Sequence, residues 1–590
     1  EGQDMDESHY QFGIEMEPLD GVVLKGSVDK DLTFKTGLSI SFLNTSVGYT
    51  ASLDTMNGLR ENGVQLVSSL DRNRTVLGKR GEIAEVRIAG RIEDTPPGFS
   101  LLGGRAKPLS GILEQLRKAR EDRTVSAVLL NIRSFSAGTG TTYEMRRAIE
   151  DLKGAGKRVV AYLEEGGMDL TMYLASAAER VVVCPSSEII VKGPYAQVMM
   201  LKGFLDKIGV EADLVRRGKY KSAVEPFTRE ELSEEAREEY QDLIDGMYEE
   251  TTAKIFSARN ISTNKTREIL EQGAMRPEQA KSLGLVDHVG YYDDAKLAAA
   301  ELLGRRADDP DRVRTADMRK RMYRRYCWTE PPTVAVVLAS GAIVTGPSRS
   351  DFLYGSQYMG SETVVNQLRR LRAERSVRAV VLRVDSPGGD GLASDLIWRE
   401  VDKMRKSGKP IVVSMSDVAA SGGYYISCSA SRIFADPTTI TGSIGVLGGK
   451  AVLAGAYGKL GINPEIIKST EHSDVFSPAR KFTGEERKRF QEQIDYFYDD
   501  FIIKVSEGRG LEREKVYEIA QGRVYTGVEA MALGLVDEIG TLQDAIDAAA
   551  EMANIEEEPK AVYVNQKRGF LQRISGCTNC HGLLGAIDNN

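Results

Sequence analysis

The chain has 590 residues, more than one ordinary core can organise, so its length points to two to four domains. With 41% hydrophobic and 28% charged residues it has the composition of a folded, globular protein and not of a disordered one. The net charge of −8 argues against a nucleic-acid partner, and five cysteines in this length exclude a disulfide scaffold.

Residues 1–84 alternate apolar with Thr, Ser and Gly and read as a mostly β extension. The first residue is Glu1, not a methionine, which leaves room for a signal peptide or anchor removed from the chain. No apolar run reaches the roughly 20 residues that a membrane helix needs.

From residue 85 the chain is built twice. VSAVLLNIRS (125–134) recurs as VRAVVLRVDS (377–386), and YLASAAERVVVCP (173–185) recurs as YISCSASRIFADP (425–437), both 252 residues on. KIGV, ending at Val210, becomes KLGI, ending at Ile462, at the same offset, and LGLVDHVG around Gly284 becomes LGLVDEIG around Gly534 at 250. Matches in the same order at nearly one offset define a repeat. We place the first unit at 85–303, a charged linker at 304–332, the second unit at 333–553 and a tail at 554–590.

Within each unit, short β-branched runs alternate with amphipathic helical stretches, which predicts α/β layers. The run before Ser386 and Pro410 to Ser416 read as buried strands, and LIWREVDKMRKSG between them reads as a helix ending at a glycine. In the first unit Leu232, Ala236, Tyr240, Leu243, Ile244, Met247 and Ile255 mark one face of a long helix, with Thr228 and Glu231 placed as its capping box. Cys184 and Cys428 lie in apolar runs and are expected in the core. The basic run Arg312–Arg325 reads as a solvated linker.

Duplicated units share their core, so chemistry should lie where they differ. DVAASGGYY puts Ser421 at a strand-to-helix turn among small residues, and the first unit has Asp169 there, which cannot replace the nucleophile. DSPGGD places Gly388 and Gly389 after a strand, free to aim backbone N–H groups at an oxyanion, where the first unit has Ser134 to Gly138. GKYKSAVEPF places Lys221 among small and apolar residues in the first unit, opposite Glu471, His472 or Ser473 in the second. A desolvated amine can serve as the base that a serine needs. One half keeps the serine and the other the lysine, so a site shared between the halves is expected, formed within one chain. His9, His288, His472 and His581 sit in no triad-like motif, and neither HExxH nor a P-loop occurs. No cofactor and no metal are expected. Cys577, Cys580 and His581 spell the CxxCH pattern of haem attachment. No domain surrounds that motif, and we read it as an incidental tail in preference to a haem site, disulfide or metal knuckle.

These residues resemble the signal peptide peptidase A family in its long, tandem form, over about 85–553. The resemblance rests on GKYKSAVEPF, DSPGGD, AASGGYYIS and TGSIGV. It implies Ser421 as nucleophile, Lys221 (not Lys219) as general base, Ser443 as the group orienting the amine, and the glycines of SPGG as oxyanion hole. It further implies tandem superhelical α/β domains of the crotonase and caseinolytic-protease kind. The enzyme expected is an ATP-independent endopeptidase for signal-peptide remnants and other hydrophobic peptides. It would be a homotetramer associated with the extracytoplasmic face of a membrane, such as the periplasmic face of a bacterial inner membrane. The family's usual N-terminal anchor and any counterpart of CTNCH mark departures between the two. Alternatives from the residues alone are a crotonase-like acyl-CoA enzyme, which would not need the serine, and an inactive oligomeric scaffold.

Overall fold

The fold is that of a computed structural model. It describes residues 11–564 except 20, 30–31, 43–44, 55–57, 69–80, 96–105, 307–308, 321–331, 352 and 557–558. Cys577, Cys580, His581 and much of the basic run lie outside the described residues.

The extension is strand-rich, as its alternation predicts. Five strands, β1 (Gln11–Leu19), β2 (Val22–Asp29), β3 (Phe34–Phe42), β4 (Thr45–Asp54) and β5 (Gly58–Ser68), form an antiparallel meander in chain order. The first unit then builds a parallel sheet whose strands lie in the order 288–289, 180–183, 158–163, 125–136, 82–93 and 315–317. The second unit repeats the plan around 411–420, 377–386, 333–340 and 560–564, again parallel. Helices cover both faces, which is why the central strands are apolar almost without a break. Val380, Val381, Leu382 and Val384, for instance, are all fully buried. The fold is therefore tandem α/β, with a mostly β N-terminal region.

Two boundaries differ from expectation. Thr315–Asp317, placed in the linker, pairs in parallel with Ile83–Glu85 and belongs to the first sheet. Lys560–Val564, placed in the tail, pairs with Thr333–Val337 as the edge strand of the second. Each closes a sheet edge that would otherwise expose unpaired backbone groups.

The long helix of the first unit also starts later than Thr228. It runs Glu234–Glu250, and Ser233 is its N-cap, accepting from the Ala236 N–H at 3.2 Å. The Glu225 carboxylate accepts from the Ser233 hydroxyl at 2.8 Å and fixes that cap, while Thr228 ends a short separate helix, Glu225–Thr228, and donates to the Val224 carbonyl. Of the two cysteines expected in the core, Cys428 is buried and Cys184 is half-buried.

Among the contacts that join the halves are a strand pairing and a buried ion pair. The strand Glu211–Arg217 of the first unit pairs antiparallel with Val446–Val452 of the second, seven residue pairs in register. Behind the sheets, Arg383 of the second unit is wholly buried against Asp94 (2.8 Å) and Glu144 (2.7 Å) of the first.

Candidate active site

Ser421 follows the strand Ile411–Ala420 directly and precedes the helix Gly422–Ser427. Its backbone is left-handed, with φ 54° and ψ −116°, a conformation that costs a non-glycine residue energy and persists only where surroundings enforce it. Ser443 (φ 53°) and Gln521 (φ 50°) share this feature, so three of the six such non-glycine residues among those described surround one site. The Ser421 N–H donates to the Gly442 carbonyl at 2.9 Å, which ties the turn to the strand Ile440–Gly442 that Ser443 directly follows.

Lys221 reaches this turn from the first unit. The cross-half strand ends at Arg217, and the next loop lies flat on residues 521–523 of the second unit. The Tyr220 N–H donates to the Gln521 carbonyl at 2.9 Å. Gly522 is required at the contact, since a Cβ there would stand 2.7 Å from the Lys221 nitrogen. The lysine is thereby buried, with 4% of its surface exposed. Its Nζ donates to Ser421 Oγ at 3.1 Å, to Ser443 Oγ at 2.9 Å and to the Ser443 carbonyl at 2.8 Å. Burial pushes its pKa down from 10.5 to about 8, and the Glu239 carboxylate opposes that shift.

The other expected residues are placed as follows. Lys219, two residues away, is exposed with its ammonium over the Tyr220 ring. Gly388 lies against the Ser421 turn, where an added Cβ would be 2.7 Å from the Gly422 nitrogen, and its own N–H donates to Ser386 Oγ at 3.2 Å. Gly389 bridges in parallel to Ile343. The Gly388 carbonyl and Asp390 N–H make the bonds, so the Gly389 N–H faces away from that strand. The Gly422 N–H opens the following helix, where a first-turn donor has no partner within the helix. In the first unit, Asp169 instead accepts from the N–H groups of Lys192 and Gly193 and only pins the backbone. His472, opposite Lys221 in the repeat, pairs with Glu486 at 3.1 Å, away from Ser421.

Glu239 was not foreseen. It accepts from the Ser222 hydroxyl (2.9 Å) and the Val524 N–H (2.7 Å), clamping the lysine loop onto the second unit. The signal was present, since Glu239 lies three residues after Ala236 and four before Leu243 on the helix stripe read as apolar. A carboxylate at a core position needs partners, and these are they.

A serine in a strained turn, hydrogen-bonded to a buried amine, is an arrangement for nucleophilic acyl transfer. The description "Peptidase family S49" matches residues 151–306 and 403–556, together just over half the chain. Serine protease SPPA, chloroplastic, of Arabidopsis thaliana is 33% identical over 502 residues, covering 83% of this chain and 72% of that protein. Protease 4 of Salmonella typhi is 31% identical over 509 residues, covering 80% and 78%. A ClpP1 mutant from Listeria monocytogenes aligns over 36% of this chain and 94% of that one at 17% identity, with a TM-score of 0.24. The chain belongs to peptidase family S49. It is a serine peptidase with the family domain in tandem, which sets aside the acyl-CoA and scaffold alternatives.

Proposed function

We propose that Ser421 and Lys221 form the catalytic dyad of an ATP-independent endopeptidase. The observation that carries this reading is the 3.1 Å contact between a buried amine and the strained serine. Neutral Lys221 takes the Ser421 hydroxyl proton as Oγ bonds to the scissile carbonyl carbon. The oxyanion is met by the N–H groups of Gly389 and Gly422, with Gly388 providing the close backbone approach. The Lys221 ammonium then protonates the leaving amine as the C–N bond breaks. Water, giving its proton to the same amine, releases the acyl group and restores Ser421. Ser443 holds Nζ through its hydroxyl and carbonyl and so fixes the direction of both transfers.

The pH dependence tests this directly. A base is active only when unprotonated, so kcat/KM should rise through an apparent pKa of about 8. Hydrolysis at pH 9 is expected to be roughly tenfold faster than at pH 7, the ratio of neutral amine at the two values. A flat profile over that range would remove Lys221 from the role.

The substrates we propose are signal-peptide remnants and other extended apolar peptides. Support comes from a putative signal peptide peptidase SppA of Enterococcus faecium, 35% identical over 235 residues covering 40% of this chain. Placement at the extracytoplasmic face of a membrane rests on the family resemblance. No helix among the described residues is long and apolar enough to cross a membrane.

A homotetramer is part of the proposal, and the repeat supplies its support. Residues 463–469 correspond to the cross-half strand 211–217, and residues 194–200 to its partner 446–452. Neither belongs to a helix or a strand, and neither has a ladder partner among the described residues. Val215 is buried in the pairing, whereas Ile467, its counterpart, is 97% exposed. Joining 463–469 of one copy to 194–200 of the next would repeat the internal contact head to tail and close a ring. Ile467→Asp is therefore expected to lower the particle mass in analytical ultracentrifugation while a short peptide is still cleaved. An unchanged mass would count against the ring.

A further inference from the structure

The N-terminal meander carries a surface that neither the dyad nor the head-to-tail contact uses. Its register sorts one face into cross-strand rows. Met16, Leu24, Leu38, Tyr49 and Val64 form one continuous row across β1–β5. All five are exposed, from 39% at Leu24 and Leu38 to 75% at Val64. The rows on either side differ in height. Phe12, Val28, Phe34, Leu53 and Leu59 make a second ridge; the row between them starts at Ile14 on β1 and then drops to Gly26, Thr36, Ala51 and Asn62, a furrow over β2–β5. No charged residue lies in these rows. On the other face Glu15 pairs with Lys25 at 3.5 Å.

Such a face has a narrow choice of partner. With no charged residue in these rows, and Thr36, Tyr49 and Asn62 their only side chains that hydrogen-bond, it rewards chiefly another apolar surface, by removing both from water. Five strands about 4.8 Å apart and about nine residues long present roughly 700 Å². That is close to the 800 Å² or so that each partner contributes to a standard stable interface. Ridge, furrow and ridge are also self-complementary when two sheets pack face to face at a small angle. Each copy brings an identical face, so a two-fold contact needs no second protein.

We propose that the uncharged face of β1–β5 docks against the same face of a second copy, forming a β-sandwich between two chains. The contact is separate from the one through 194–200 and 463–469, so it doubles whatever assembly that contact builds. A lysine at the centre of the face would put like charges against each other and against an apolar surface. In the full chain, Leu38→Lys is expected to halve the particle mass measured by sedimentation. Hydrolysis per chain of a short soluble peptide should stay unchanged, since the site lies in the tandem units. Val64→Lys, on an edge strand and 75% exposed, gives an independent reading should Leu38→Lys disturb the sheet, as far-UV circular dichroism would reveal. If both folded variants keep the wild-type mass, the proposal is wrong. If instead the wild type floats with neutral phosphatidylcholine vesicles and the variants do not, with no change of mass, the face serves a lipid surface and the proposal is likewise overturned.

Discussion

Ser421→Ala and Lys221→Ala are each expected to reduce hydrolysis of an apolar fluorogenic peptide by on the order of 10⁴-fold or more, to background. The double variant should lose no more than either single one, because nucleophile and base act as one unit and the loss of either idles the other. Lys221→Arg separates the base from mere positive charge. A guanidinium fills similar space and can donate to both serines, yet it stays protonated and cannot accept the Ser421 proton, so this variant should be as inactive as Lys221→Ala. Lys219→Ala, which removes an exposed side chain lying over Tyr220, should retain activity. Full activity in Lys221→Arg would show that charge, and not proton transfer, is what the site requires.

Replacing Arg383 by Met should cost about 3–5 kcal/mol of stability, the usual consequence of stripping a buried ion pair of one partner. The guanidinium donates to Asp94 at 2.8 Å, to Ser414 Oγ at 2.8 Å and to Ser416 Oγ at 2.9 Å, and lies 2.7 Å from Glu144. Other acids, buried or half-buried, stand nearby. Asp417 accepts from the Thr141 N–H and hydroxyl of the first unit, and both oxygens of Asp436 lack a hydrogen-bond partner. Burial, more than any neighbour, pushes Glu144 and Asp385 up to about 7 and Asp436 well above the carboxylate range, and raises Asp417. A single arginine thus holds together a site where the first unit meets the second.

The sign of the pH effect follows from these acids. Once Arg383 is gone, Glu144, which burial already pushes up to about 7, loses the cation that opposes that shift. Such a group favours the folded state while protonated and disfavours it as pH rises through the folded value. The deficit of Arg383→Met, read from urea midpoints, should therefore be larger at pH 8 than at pH 5. Adding Glu144→Leu should return part of the loss, since one orphaned carboxylate is removed with its partner. A variant as stable as wild type at both pH values would mean that the buried ion pair does not help to hold the halves together.

The proposed dyad is legible in the sequence because its residues break a symmetry. Ser421 faces Asp169 in the repeat and Lys221 faces Glu471, His472 or Ser473, so the two units mark their own differences. The strands were legible because both faces of each sheet are covered, leaving runs such as Val380 to Val384 with no polar alternation except at Arg383. That exception was a signal in itself. An arginine inside a buried strand demands acids from elsewhere, but local sequence does not say that Asp94 and Glu144, far away in the other unit, supply them. Pairing of 211–217 with 446–452 was hidden for the same reason, since neither strand encodes its distant partner. The helix cap lies five residues beyond the expected Thr228 because Thr228 and Ser233 both fit the local rule. Only the Glu225 carboxylate, which binds Ser233, decides between them. Gly388 and Gly389 read alike as oxyanion donors until the Ser386 hydroxyl was seen to occupy the first of them.

The central claim is that a lysine from one half activates a serine from the other. Its most direct test is the rate at which a peptidyl fluorophosphonate labels the intact chain, with the modified residue located by mass spectrometry. The account predicts one adduct, on Ser421, forming faster as pH rises through about 8 and absent from Lys221→Ala. Labelling of a different serine, or labelling of Ser421 at the same rate without Lys221, would contradict it.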